Sequence, residues 1–588
     1  MSQAIRDKDS TRVAQLLEKN QGRDVALMMA VKSDSIDMVR LVLSYGVDVN
    51  MRGARGRTPL MHSVVPCSGK MFTIMRKFER KLRKIGLDDY KLIKDTVSDF
   101  LMEAYHARLR DANHPEICKM LLNAGVDVNT VDNDCYTALM YACIFGSVDS
   151  VNALIYANAD LNIVDMGGMT ALIFSAFMGA TDIAKSLIHA KANLDIVDKD
   201  GMTALMYSSY FGYTDVAKAL MNARADVNIV DGESGATALV LAAHQGFTDI
   251  VKALIDAKAD LNRQSKDGMT ALMCAATGGH VDIATALIRA RADLNIQDED
   301  TGGNALLFAV NEGHGDIVQL LINARANLNV VEKQYGMTAL IQASNSGNQE
   351  IVKLLINGKA DLNITDKENG TALLRATLGG YGLIVDSLIK ARADVNIAEK
   401  DGRTALMCAA NSGRVDILHS LINAGADLNA VDNERDNALI YALYAEQPIP
   451  AQVLIESNAD LTIVNGNGDT GLHIALYQGF PHIADMILSS KQSINIDSVN
   501  KDGKTPLYYA RKMQYEHITQ ILTQRGANQA LAEFLIQKES GYEQHVEQAQ
   551  QKNASSSSAF DSVYNGVRRV YRGVKLREMI ETIQEFVE

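Results

Sequence analysis

The chain repeats itself every 33 or 34 residues, and this period constrains its fold more than any single residue does. One copy opens with Asp198-Lys199-Asp200-Gly201-Met202-Thr203-Ala204-Leu205-Met206. The Thr-Ala-Leu core recurs from Thr137, Thr170, Thr203, Thr237, Thr270, Thr338, Thr371 and Thr404. Asn304 and Asn437 fill the threonine slot in two copies, and Thr470 and Thr505 extend the series. A unit this short cannot bury its apolar face alone, so it stacks on its neighbours and the core grows in one dimension. A 588-residue chain built this way needs no division into separate compact domains. It offers a long surface rather than an enclosed pocket.

Residues 197–230 show how one unit folds. Asp198 to Gly201 reads as a turn, with glycine free to take a positive φ. Thr203 then starts a short helix whose first free N–H its hydroxyl can cap, and Gly212 stops that helix. From Asp215 a second helix follows, with Val216, Ala217, Leu220 and Met221 apolar at helical spacing. Ala225-Asp226-Val227-Asn228 leads into the next turn. The predicted unit is turn, helix, loop, helix.

These residues carry a specific resemblance: the chain resembles the ankyrin-repeat family. The family's Gly-x-Thr-Pro-Leu-His start and Gly-Ala-Asp-x-Asn end are similar to Gly402-Arg403-Thr404-Ala405-Leu406 and Gly425-Ala426-Asp427-Leu428-Asn429, with Leu421-Ile422 between them. Earlier copies begin at Val25-Ala26-Leu27 and Thr58-Pro59-Leu60. The expectation is an all-α solenoid with short turn or hairpin tips, of about fourteen repeats plus a partial cap near Ala4 to Leu17, spanning residues 1–528. Most copies depart from the family in having alanine for proline and an apolar residue for histidine, and His473 keeps the imidazole. The resemblance implies that turn tips and first helices line a concave face where partners bind.

The period fails twice. From Thr58 to Thr137 there are 79 residues, and the excess falls at 67–112, between the two helices of its repeat. Met71, Ile74, Met75, Phe78, Leu82 and Ile85 form one helical stripe there, backed by Lys70, Arg76, Lys77, Arg80, Lys81, Arg83 and Lys84. A second amphipathic stretch contains Ile93, Val97, Phe100, Leu101 and Tyr105. This insertion reads as an α-hairpin with a solvated basic face. It also reads as a docking element for a partner, an acidic membrane surface or a calmodulin-like protein through 67–86. After a helical extension at 529–554, four serines (555–558) read as a linker. Phe560, Val563, Tyr564, Val567, Val570, Tyr571 and Val574 then recur at helical spacing beside Arg568, Arg569, Arg572, Lys575 and Arg577. That C-terminal helix (within 555–588) either docks or caps the last repeats.

Mapping the family's contact slots onto the chain gives a pattern. Early units place Tyr141, Ile144 and Phe145, then Phe174, Phe177 and Met178, then Tyr207, Tyr210 and Phe211 in them. Middle units carry polar residues such as His244, Asn311, Asn345 and Asn411, and late units return to Tyr441, Tyr444, Tyr477 and Tyr508. Exposed aromatics would anchor an apolar element of a partner. Alternatively the bulky rings fill gaps that the many alanines leave between repeats. Three successive repeats share them, which favours the anchor.

Composition and motifs exclude other classes. A net charge of −13 opposes direct nucleic-acid binding by the body of the chain. Six scattered cysteines without a Cys-x-x-Cys pair point to reduced thiols and a cytoplasmic location, with the nucleus as the alternative. No apolar run is long enough to span a membrane. No phosphate-binding loop, dinucleotide fingerprint, zinc-protease helix or nucleophile elbow occurs. Asp293-Leu294-Asn295 and its equivalents could suggest calcium but fit turn-backbone bonding better. The sequence therefore reads as a scaffold without catalytic residue, cofactor or metal, binding proteins on its concave face. The alternative is a regulatory or localising adaptor, or a pathogen's effector, acting through the basic insertion or tail. A catalytic element hidden in 67–112 or 529–588 is disfavoured, because neither segment pairs a nucleophile with a base.

Overall fold

Each Thr-Ala-Leu core begins a helix because its first residue satisfies a backbone donor that the opening turn leaves free. In the computed structural model, which describes residues 1–65, 114–537 and 539, Thr203 Oγ1 accepts the N–H of Met206 at 3.2 Å. The same bond caps the helices that begin after Thr58, Thr137, Thr170, Thr237, Thr270, Thr338, Thr371, Thr404 and Thr505. Asn304 and Asn437 substitute their Oδ1 atoms, at 3.1 and 3.0 Å. Each such cap is worth about 1 kcal/mol.

The apolar residue that replaces the family's histidine has a role in this cap. Sδ of Met61, Met140, Met273 and Met407 accepts the backbone N–H of the capping threonine at 3.4–3.5 Å. At the one imidazole, His473 Nδ1 accepts the Thr470 N–H at 3.2 Å, while Nε2 lies 3.0 Å from Ser498 O. The thioether thus keeps one of the imidazole's bonds and drops the link onward to the next turn.

The chain divides into two units, Met1–Lys333 and Gln334–Glu588. In the first, helix pairs run from Ser2–Arg6 with Ser10–Glu18 to Ala305–Asn311 with Gly315–Asn323. Helices Pro59–Ser63 and His114–Asn123 form one of these pairs. The second unit runs from Ala339–Asn345 with Gln349–Asn357 to Pro506–Lys512 with Glu516–Gln524, after which 529–537 are helical. Within each unit, first helices pack on first helices and second on second. The fold is all-α, and among the described residues β-pairing is confined to two isolated bridges, Val230–Thr237 and Val464–Thr470. The insertion residues Arg76, Lys77, Arg80, Lys81, Arg83 and Lys84 and the tail residues Arg568, Arg569 and Arg572 lie outside the described residues.

Second helices bury a repeated stripe: Val216, Ala217 and Leu220 in one copy, Ile250, Val251 and Leu254 in the next. First helices are buried on nearly all sides, which explains their small residues. Ala204, Leu205, Ser208 and Ser209 are no more than 1% exposed. Second helices end in a left-handed residue that is often cationic, as at Lys191, Arg224, Lys258 and Arg291, each with φ 67°. The strain of that conformation is offset in part by positive charge at a helix C-terminus.

Turns are tied tip to tip by backbone bonds. Lys199 N–H donates to Gly167 O at 2.9 Å, Gly232 N–H to Asp200 O at 2.8 Å, and Lys266 N–H to Ser234 O at 2.7 Å. Inside each turn an acid holds the loop closed: Asp198 Oδ1 accepts the N–H groups of Asp200 and Met202 at 3.0 and 2.9 Å. The Asp-Leu-Asn triplets bond backbones too. Asp293 Oδ1 accepts the Asn295 N–H at 2.9 Å, and Asn295 Oδ1 accepts the Asn327 N–H of the next repeat at 2.8 Å.

Candidate partner-binding face

The tips and first helices bring together two different sets of side chains. In the first unit, Tyr141, Phe145, Phe174, Phe177, Met178, Tyr207, Tyr210 and Phe211 are all buried, none more than 8% exposed. The sequence placed them on an exposed surface, and the structure corrects that placement. Phe177 meets Tyr207 and Phe211 of the following repeat edge-on, with centroids 5.4 and 5.3 Å away. Tyr207 stacks on Phe211 at 6.5 Å, and Tyr210 meets Phe211 edge-on at 5.1 Å. Alanines on the first helices leave room for these rings, and ring-to-ring packing uses it.

Two tyrosine hydroxyls in that band are internally committed. Tyr141 donates to Asp132 Oδ2 and Tyr207 to Asp198 Oδ2, both at 2.6 Å and nine residues upstream. Burial, together with the facing carboxylate, pushes both phenols above their ordinary value. Each turn acid thus bonds its own loop with one oxygen and the first helix with the other.

The same nine-residue register organises the second unit. Arg375 takes the tyrosine's place and binds Asp366 Oδ2 through Nε at 2.7 Å. Its Nη1 lies 3.0 Å from Glu399, which Arg403 also holds at 3.0 Å, and Arg403 Nε sits 2.7 Å from Asp401. Asp366 and Glu399 are buried, so their charges require these partners. This patch is electrostatically closed.

The next repeats are not. Tyr441 donates to Asp432 Oδ2 at 2.7 Å, Asn465 Nδ2 to Tyr444 Oη at 2.9 Å, and Asn500 Nδ2 to Asp469 Oδ1 at 2.8 Å. Tyr444 and Tyr477 have ring centroids 6.4 Å apart, and Tyr477 and Tyr509 5.6 Å apart. Tyr441, Tyr444, Tyr477 and Tyr509 are all half-buried, so each keeps part of its surface open. Asp432, Glu434, Asp436, Asp469 and Asp502 form no ion pair among the described residues. Burial, opposed by a bond from Asn465 and reinforced by Asp432, Glu434 and Asp469, pushes the Asp436 carboxyl up to about 6. Its Oδ1 atom is enclosed without a hydrogen-bond partner. Burial also raises Asp469, against the Asn500 bond and the pull of Lys504. Uncompensated carboxylates beside open tyrosine edges suit a cationic side chain, which can pair with the first and stack on the second.

Sequence reading named Tyr441, Tyr444 and Tyr477 but missed the acids and mistook one register. Tyr508 is fully buried, its N–H bonded to Thr505 Oγ1 at 3.3 Å, and Tyr509 occupies the open slot four residues after that cap. The available signal was the fixed offset: a turn acid or asparagine nine residues before the helix residue, as in Asp432–Tyr441 and Asn500–Tyr509.

Protein-family models agree with this architecture. A model described as ankyrin repeats in three copies matches overlapping stretches from 151–231 to 450–533. A many-copy ankyrin model matches 105–155, and a single-repeat model matches 23–54. Among the described residues no helix is long and apolar enough to cross a membrane.

Proposed function

The chain belongs to the ankyrin-repeat family, whose repeats are generally protein–protein interaction modules, and we propose that it is a non-enzymatic scaffold holding a basic segment of a protein partner on the first-helix and tip face of its last repeats. The observation that carries this reading is the open acid–tyrosine cluster around Asp436, Tyr444, Tyr477 and Asp469. Rigid tips hold its carboxylates in place before a partner arrives, so little ordering entropy is lost on binding. The buried rings of 141–211 are read as the packed floor of the corresponding face in the first unit.

A reducing compartment, cytoplasm or nucleus, fits the thiols. Cys118, Cys274 and Cys408 are free and buried, and burial pushes each up to about 12. The adaptor reading, through the basic residues of 67–86 or the C-terminal segment, rests on sequence outside the described residues.

Affinity purification followed by mass spectrometry tests the proposal, comparing the wild-type chain with Tyr444→Ala/Tyr477→Ala. The variant should keep its helical circular dichroism and lose the main partner. An unchanged partner set sinks the acid–tyrosine face.

A further inference from the structure

The described chain ends beside the open face. Residues 529–537 are helical, and Arg511 Nη1 holds Glu533 at 2.8 Å. Glu539 then lies on the last repeat, 2.9 Å from Lys504 Nζ and 2.6 Å from Lys512 Nζ, and also bonds Tyr508. Lys504 Nζ sits 5.8 Å from the centre of the Tyr509 ring, the last ring of the open tyrosine row. The exit point and the acid–tyrosine cluster therefore share one surface of one unit.

The sequence beyond Glu539 carries the complementary charge. In a chain of net charge −13, residues 560–577 hold Arg568, Arg569, Arg572, Lys575 and Arg577 against a single acid, Asp561. Tyr564 and Tyr571 alternate with valines in the same stretch. Asp432, Asp436 and Asp469 have no ion-pair partner among the described residues, and Lys504, at the end of the tyrosine row, is engaged by Glu539 at 2.9 Å.

We propose that the acid–tyrosine face of the last repeats is the docking surface for this chain's own basic segment, residues 560–577. Arginine suits both halves of the surface, because a planar guanidinium pairs with a carboxylate and lies flat on a phenol ring. The connecting residues 540–567 suffice in length, since 28 residues can span up to about 95 Å. Repeats are spaced by only about 10 Å, so every carboxylate of the cluster is within reach. Tethering makes the segment an intramolecular ligand at an effective concentration on the order of millimolar, which a partner in trans must displace. The proposal rests on the chemistry already assigned to this face and adds an occupant in cis.

Hydrogen–deuterium exchange with mass spectrometry on the full chain tests it, with Arg568→Glu/Arg569→Glu/Arg572→Glu as the variant. Docking predicts that amides of 436–444, 465–477 and 504–512 exchange about threefold or more faster in the variant, and in wild type at 0.5 M salt, than in wild type at low salt. Peptides from 204–222 serve as the unaffected reference. Adding Asp436→Arg/Asp469→Arg to the triple variant should restore slow exchange, an outcome that folding damage cannot produce. Identical exchange in wild type and triple variant overturns the proposal, as does protection that disappears on dilution, since a second copy would then supply the segment. A synthetic 560–577 peptide separates the two readings. If it binds the triple variant while the exchange comparison shows nothing, the face still takes basic segments and the occupant in cis is wrong. If it binds nowhere, both fail.

Discussion

Asn228 Oδ1 accepts the backbone N–H of Asp260 at 2.8 Å, joining two residues that lie 32 apart in the chain. The same rung links Asn129 to Asp160, Asn162 to Asn193, Asn262 to Asp293, Asn363 to Asp394 and Asn396 to Asp427, at 2.8–2.9 Å. Each rung fixes one repeat's spacing against the next, because the asparagine's own backbone is held by the Asx turn before it, Asp226 Oδ1 accepting the Asn228 N–H at 2.9 Å.

The rung uses only the carbonyl half of the amide, and Asp195 performs it for Asp226 at 2.8 Å. Asn262→Asp should therefore retain the bond to Asp293, whereas Asn262→Ala should cost about 1 kcal/mol locally. Exchange at the Asp293 amide reads this directly. Equal rates in the alanine and aspartate variants would refute the ladder's role.

Glycine at the tips is required by space as well as by backbone angle. Gly201 has φ +77°, and a Cβ there would lie 2.3 Å from the backbone N of Gly232 in the next repeat. That N–H is the one bonded to Asp200 O at 2.8 Å. Gly201→Ala should thus cost about 2–4 kcal/mol by strain and by breaking the tip bond. Gly425, with nothing within 4 Å of its Cβ position, isolates the angular term. Equal losses in Gly201→Ala and Gly425→Ala, measured by urea unfolding, would show that crowding at the tip is unimportant.

Such rules explain what was legible beforehand. Caps, turns and helix stripes depend on neighbours a few residues away, so Thr203, Gly201 and Val216 announce themselves. The family resemblance then gave the stacking. The exposure of Tyr207 or Phe177 depends on what the adjacent repeat places above each ring, which spacing within one repeat does not encode. The Asp432–Tyr441 pairing was readable as a nine-residue offset but is hidden where arginine replaces tyrosine, as in Asp366–Arg375. Charge imbalance at Asp436 emerges only when Asp432, Glu434 and Asp469 are brought around it.

One polar atom in the second unit's core is misplaced energetically. Ser344 is 0% exposed and its hydroxyl has no hydrogen-bond partner among the described residues. Ala243, Ala276 and Ala410 occupy the equivalent slot, six residues after their capping threonines, and are equally buried. Ser344→Ala should stabilise the unit by about 1 kcal/mol, since a buried unpaired hydroxyl carries a desolvation cost. A lower urea midpoint for the variant would contradict this.

Asp436 sets a pH dependence of defined sign. Its carboxyl is raised from 3.8 to about 6 in the folded chain, chiefly by burial. Folding therefore favours the protonated form, and that contribution is complete below the unfolded value near 4 and lost as pH climbs through about 6. His473 works in the opposite direction: burial lowers it to about 4, so its contribution is present above the ordinary 6.5 and fades as pH falls toward 4. Comparing Asp436→Asn with its parent at each pH removes the histidine from the difference. The comparison belongs in the Arg568→Glu/Arg569→Glu/Arg572→Glu background, where no cation from the basic segment offsets the carboxylate. There the asparagine variant should be more stable than its parent above pH 6 by on the order of 1 kcal/mol, after allowance for solvent screening of a half-buried group. Below pH 4 the two should coincide. A stability difference independent of pH between 4 and 7, read from urea midpoints, would show that Asp436 carries no such penalty.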